Sequence, residues 1–285
     1  MSWLVAALAV WGIGWAVNLR LARSVWSETR AGRLAIALVF GVTLLAMWEC
    51  AVRGFGVSAV ILPAPSAIAM RFAGALPVLW GDFVQTVIRG ALTGYLIGAV
   101  AAAGMAVVID RSPFLKAGLL PVGNFVAALP IVGIAPILVA WFGFDWQSKA
   151  AVVVVMVFFP VLVNMVAGLQ ASERMQRDLM ATWGAGYWQA LFKLRLPAAM
   201  PFLFNGLKIA STLALIGAIV AEFFGSPTVG MGFRISTEVG RLGMDMVWAE
   251  IAVAALAGSA FYGLIVGIER GVTFWHPSVR VQQRP

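Results

Sequence analysis

Residues Asp178 to Pro201 read DLMATWGAGYWQALFKLRLPAAMP, the longest polar-containing interruption of an otherwise apolar chain. Two short helical patterns meet in it at Gly184-Ala185-Gly186, where glycine permits backbone angles that other residues resist. The second pattern is expected to end at Pro197, which cannot continue a helix. A bent helix–turn–helix protrusion follows from these two features. On its first arm Met175, Leu179 and Trp183 recur at i, i+4 and i+8, so a segment outside the apolar runs carries an apolar stripe of large side chains. A stripe of that kind needs a cover, either the protein's own helices or a partner.

Outward from this elbow the chain is oily. Of its 285 residues 62% are hydrophobic and 11% charged, with mean hydropathy +0.94, too little charge to solvate a globular surface. Apolar runs of about 20 residues select an all-α membrane protein, a polytopic helical bundle, over a β-barrel of alternating ten-residue strands. One cysteine, Cys50, excludes an internal disulfide and a cysteine metal cluster. The one histidine, His276, lies in the C-terminal tail and is assigned no role. The net charge of +8 comes from arginines and lysines placed in alternate loops. That placement is the positive-inside bias of a membrane protein and not a nucleic-acid surface.

In chain order, Trp3 to Leu19 is expected to be a retained span with its N-terminus outside, or an interfacial helix. Leu34 to Val52 is the next span, with Glu49 and Arg53 one turn apart and able to pair. An outer segment from Arg53 to Gln85 follows. In it Ser66 is expected to cap an amphipathic helix bearing Ile68, Phe72 and Leu76. Gly90 to Ile109 is a span whose Gly94, Gly98 and Ala102 suit close helix contact. Ala117 to Phe142 is an apolar run broken by Pro121, Pro130 and Pro136. Broken helices persist at membrane depth where protein or a cavity satisfies the freed backbone groups, so this run marks either the pathway or an ordinary kink. Trp141 to Lys149 is expected to turn outside, and Ala150 to Leu169 to cross back with Pro160 and Asn164 inside it. Phe202 to Phe224 is a span, Gly225 to Trp248 a glycine-rich outer segment with a short helix from Ser236, and Ile251 to Ile268 the last span. Alternation then leaves thirteen Lys or Arg inside against five outside.

The chemistry available is limited. No lysine is followed by Ser or Thr, so a phosphate-cradling GxxxxGK[ST] loop is absent and any ATP must be brought by another chain. Candidate pathway or gate residues are Asn124, Pro130, Pro136, Asn164 and Glu222. For Asn124 and Asn164 the alternative is a hydrogen bond bridging two helices, and for Glu222 a charge snorkelling to the headgroups. An ion-coupled secondary transporter of a small organic solute is the second reading. It is disfavoured because Glu49, Lys208, Glu222 and Glu250 fall near span ends and not at the midplane.

The spacing Asp178-Leu179-Met180, Gly184, Leu194-x-Leu196-Pro197 resembles the EAA loop of the inner-membrane permease subunits of ATP-binding-cassette importers. Flanking residues GAGYWQALFKLRLPAAMPFLFNGLKIA, Val220-Ala221-Glu222-Phe223-Phe224-Gly225, Ile61-Leu62-Pro63-Ala64-Pro65-Ser66 and Trp141-Phe142-Gly143 are similar to the nitrate, taurine, sulfonate and pyrimidine-precursor branch. Asp178 stands where that motif has Glu, and Leu179-Met180 where it has two alanines. The resemblance implies the type I importer core of about six spans over residues 34–269, with a coupling loop at 170–203. Outside the resemblance, residues 1–33 are expected to form an extra N-terminal span and basic inner loop, and residues 270–285 a basic cytoplasmic tail. It implies ATPase coupling through Met175, Asp178, Leu179, Met180, Trp183, Gly184, Ala185, Leu196 and Pro197. The implied partners are a cytoplasmic ATPase that binds ATP and Mg, a periplasmic substrate-binding protein, a second permease copy and the lipid bilayer. No cofactor, metal or nucleic acid is expected on this chain, and the location is the bacterial inner membrane.

Overall fold

The computed structural model describes residues 2–112, 114–118, 123, 129–225 and 228–275. Among the described residues there are helices and turns and no strands, and six helices are long and apolar enough to cross a membrane. They belong to two compact units, Met1–Leu79 with Ile235–Ile251, and Trp80–Arg234 with Ala252–Pro285.

In the first unit α1 (Ser2–Ala22) is joined to α2 (Arg30–Phe55) by a 3-10 turn. Thr29 caps α2 by accepting from the Gly32 amide at 3.0 Å, the hydroxyl cap that the orphan N–H groups of a first turn require. Glu49 and Arg53 pair at 2.6 Å as their spacing predicts. Ser66, however, is not the cap of α3 (Pro65–Gly74); Ala64 holds that position. The Ser66 amide and hydroxyl instead both donate to the Glu49 carboxylate, at 3.0 and 2.8 Å. An acidic side chain from another helix thus satisfies the N-terminus of α3.

The second unit is built on three long helices. α4 is a continuous run, Leu76–Arg111, whose middle, Val84–Leu92, is π-helical. It starts well before the expected span at Gly90, because Asp82, Gln85 and Thr86 are buried and not solvated. α5 (Ile131–Phe142) begins after Pro130 and contains Pro136. Residues 119–122 and 124–128 of the expected broken span, with Pro121 and Asn124, lie outside the described residues. α6 (Trp146–Gln170) starts four residues ahead of the expected span, so Lys149 is a buried helical residue and not part of an outer turn.

α7 (Arg174–Thr182) precedes α8, a run from Tyr187 to Phe224. Pro197 therefore does not end the second arm. The turn before it, Leu191–Arg195, is π-helical, and widening there accommodates a ring that would otherwise strike the carbonyl four residues back. α9 (Met231–Gly240) begins five residues before the expected Ser236, and α10 runs Met244–Val272.

α4, α6 and α8 enclose the core, with Ala102, Ala106, Val153, Val157, Leu162, Ala210 and Ala214 fully buried. Small residues let backbones close in, as the Gly94, Gly98, Ala102 series predicts. A Cβ on Gly94 would lie 2.6 Å from the Val153 Cβ, and one on Gly98 3.2 Å from the Val154 Cα. Tyr95 fills the adjoining space against Phe261 of α10, ring centroids 4.8 Å apart.

Candidate functional site

At one end of the second unit lies the elbow. α7 ends in a left-handed residue, Gly184, with φ +73°. The Gly184 amide donates to Ala181 O at 2.9 Å and the Ala185 amide to Met180 O at 3.0 Å. This pair of bonds is the Schellman closure that satisfies the last carbonyls of a helix. Gly186, with φ −70°, has ordinary extended geometry, and its amide donates to the Gln189 side chain at 3.1 Å. Of the two glycines only Gly184 occupies a conformation that requires one.

The apolar stripe on α7 is exposed. Met175, Leu179 and Trp183 retain 80%, 50% and 75% of their accessible surface, so the protein's own helices do not cover it. Asp178 is also exposed, 3.9 Å from Arg174, a surface pair of small energetic value. Leu196 and Pro197 are half-buried at the base of the second arm.

That base is locked by a constellation that no motif in the sequence announces. Arg195 holds Asp110 at the end of α4 through two bonds, Nη1 to Oδ2 at 2.8 Å and Nη2 to Oδ1 at 2.5 Å. The same guanidinium donates to Leu169 O near the end of α6, at 3.0 and 2.9 Å. The Tyr187 hydroxyl donates to Asp110 Oδ2 at 3.0 Å, and Arg111 lies over the Tyr187 ring, 5.4 Å from its centroid. A planar donor with five N–H groups can serve both oxygens of a carboxylate and a carbonyl together. The two acceptors lie 85 and 26 residues away along the chain, so no local pattern announces them.

At the opposite end, where α4 and α6 start and α8 finishes, is a second polar constellation. Three successive amides at the start of α9 are received by three side chains. Gly230 donates to Asp82 at 2.6 Å, Met231 to the Thr86 hydroxyl at 2.8 Å, and Gly232 to Glu222 at 2.7 Å. The Thr86 hydroxyl in turn donates to Glu222 at 2.9 Å, and Arg234 Nε pairs with Asp82 at 2.8 Å. Beside it Lys149 donates to Phe144 O at 2.6 Å and to Gly225 O, tying the turn before α6 to the C-terminus of α8. Glu222 is thus 2% exposed and hydrogen-bonded, and does not snorkel to the headgroups.

The other candidate pathway residues are not gathered at this end. Asn164 donates to Pro160 O at 2.8 Å and accepts from Asn205 of α8 at 3.0 Å, an amide bridge between two helices. Asn205 precedes Glu222 by seventeen residues, about 25 Å along the helix. Pro130 and Pro136 are exposed; beside them a cavity of about 110 Å³ is lined by apolar residues including Ile131, Phe159 and Leu213. Lys208 pairs with Glu269 of α10 at 2.9 Å, so it too has a protein partner. Among the described residues no cluster of three or more metal-ligating side chains occurs.

A polytopic helical bundle with a capped elbow at one end is an architecture that a membrane transport component can use. Residues 94–274 match the family described as binding-protein-dependent transport system inner membrane component, and the chain belongs to that family. It is a multi-pass inner-membrane permease of the ABC importer class, in the branch that includes the taurine and sulfonate proteins. A riboflavin transport system permease protein of Chloroflexus aurantiacus is 32% identical over 82% of this chain and 88% of its own length. A formylaminopyrimidine transport permease protein of Halalkalibacterium halodurans is 29% identical over 83% and 94%. The taurine transport system permease protein of Escherichia coli is 25% identical over 90% and 94%.

Proposed function

We propose that the chain is the membrane subunit of an ATP-driven importer, moving a small solute handed over by a periplasmic binding protein, with residues 34–269 as its permease domain. The observation that carries this reading is the exposed stripe Met175, Leu179, Trp183 on an elbow whose base is held by the Asp110–Arg195 clamp. An apolar ridge outside the bilayer is stable when seated in a partner, and a clamped base transmits force instead of yielding to it. The partner is a separate ATPase that binds ATP and Mg, docking over Met175, Asp178, Leu179, Met180, Trp183, Gly184 and Ala185, with Leu196 and Pro197 at the root of the arm. One chain supplies one elbow, so two ATPases call for two permease copies. Asn124, Pro130, Pro136, Asn164 and Glu222 are assigned to the pathway and its gate. The solute belongs among the small organic molecules and anions for which the relatives are named.

The test is co-isolation. An affinity-tagged chain extracted from its native membrane is expected to bring down an ATP-hydrolysing subunit, and Leu179→Asp is expected to lose it while remaining inserted. Accumulation of solute from an ion gradient alone, with no ATPase accompanying the chain, would overturn the reading.

A further inference from the structure

A groove of about 400 Å³ runs between α1 and α2 in the first unit. α1 lines it from Trp15 to Ala22 and α2 from Phe40 back to Arg33, each with residues at i, i+3, i+4 and i+7, so one face of each helix makes one wall. We propose that this groove holds a phospholipid with a net negative head group, its phosphate on Arg33 and one acyl chain lying along the apolar walls toward Phe40.

Depth is the first argument. One apolar span ends at Ala22 and the next begins at Ala31, which puts the turn between them at a membrane surface. Val25 and Trp26 of that turn are exposed, and tryptophan favours the head-group level. From Arg33 to Phe40 the helix rises about 10 Å, against about 15 Å for half of the hydrocarbon core. The groove thus has a charged mouth at the level of a phosphate and apolar walls at the level of an acyl chain. A soluble anion would fill only the mouth.

Charge is the second. Residues 20–33 hold four arginines against one acidic residue, Glu28. Arg20, Arg23 and Arg33 are exposed, and among the described residues no carboxylate pairs with any of them. Arg53, near the other end of α2, has Glu49 at 2.6 Å. A guanidinium left open beside an apolar groove can take a phosphate through two N–H groups. The positive charge around it attracts an anionic head and opposes the ammonium of a zwitterionic one.

Another helix is the rival occupant. Copies in one membrane share an orientation, so a second hairpin would bring the same arginines to the same level, like charge against like charge. A lipid brings the opposite charge. The walls stand ready for it. Trp15 is stacked on Trp11, ring centroids 6.1 Å apart, and the two helices are held close at Gly14, where a Cβ would collide with Thr43.

Photolabelling of the full chain in phosphatidylcholine nanodiscs tests the site, with a minor fraction of phosphatidylglycerol or phosphatidylethanolamine carrying the same diazirine acyl chain. The phosphatidylglycerol label is expected on residues 15–40, at about five times the phosphatidylethanolamine yield. Arg33→Gln is expected to cut that yield about fivefold. Arg270→Gln, which removes an exposed arginine from the last turn of α10, leaves it unchanged. Ala37→Trp fills the groove without changing the charge and is expected to lose the label. Arg33 and Ala37 are both exposed, so both variants are expected to keep the wild-type Tm and report the groove and not the fold. Equal yields from the two lipids would mean ordinary bilayer contact and overturn the proposal, as would wild-type yield in Arg33→Gln or Ala37→Trp. Displacement of the label by soluble glycerol phosphate would also overturn it, the head alone then being recognised. So would ready disulfide formation between Ala37→Cys chains in a Cys50→Ser background, which would put a second copy in the groove.

Discussion

Gly184 and Gly186 stand two residues apart in the elbow and do different work. Gly184 sits at φ +73° and closes α7. A β-branched residue there meets the steric cost of the left-handed region, about 1–2 kcal/mol or more. Gly186 has φ −70° with open space where a Cβ would go. Gly184→Val is therefore expected to insert at normal abundance yet lose most solute uptake, while Gly186→Ala retains it, both measured as uptake per membrane-inserted chain. Equal uptake by the two variants would remove the bend from the mechanism. Thr86 makes the same kind of point in a buried setting. One hydroxyl accepts from Met231 and donates to Glu222, a role that a hydrophobicity profile, which scores threonine as nearly neutral, does not register.

Among the elements, α8 joins the two ends of the second unit. It begins in the elbow at Tyr187, is clamped through Arg195 to α4 and α6, and finishes beside the Glu222 cluster. Asp110 is 6% exposed in this pair, so removing one partner strands a charge largely out of water. Asp110→Ala is expected to destabilise by about 3 kcal/mol or more, and Arg195→Ala by a similar amount. The reversed pair Asp110→Arg with Arg195→Asp is expected to recover part of that loss, read as Tm in detergent. Additive losses in the double variant would mean that the two charges do not stabilise each other. The elements were partly legible beforehand. The apolar runs and the α7 stripe follow from periodicity, because burial in lipid or protein demands it. Pro197 misled, since a proline ends a helix only where no widened turn precedes it, and the π-helical turn at Leu191–Arg195 has no pattern of its own. Lys149 misled similarly, a charged residue near a loop whose carbonyl partners, Phe144 and Gly225, are supplied by tertiary contact.

For the whole molecule, orientation rests on the distribution of arginine and lysine, thirteen on the elbow side of the alternation and, with Lys149 buried in α6, four on the other. In a Cys50→Ser background, a cysteine at the exposed position Ser58 is expected to react with an impermeant maleimide in intact cells, and one at the exposed position Glu173 only after the membrane is opened. Labelling in the reverse order would invert the topology. Composition and run length by themselves determined a helical membrane protein. The Asp178–Pro201 motif pointed to a permease, because lipid dictates apolar length and an elbow needs a glycine in a fixed place. Only tertiary structure decided which polar residues are buried together. Arg195 meets Asp110 across 85 residues, Glu222 meets Thr86 across 136, and the Gln85 amide nitrogen is buried without a hydrogen-bond partner. Burial makes those groups choose partners by distance in space, and distance in space is not encoded by spacing along the chain.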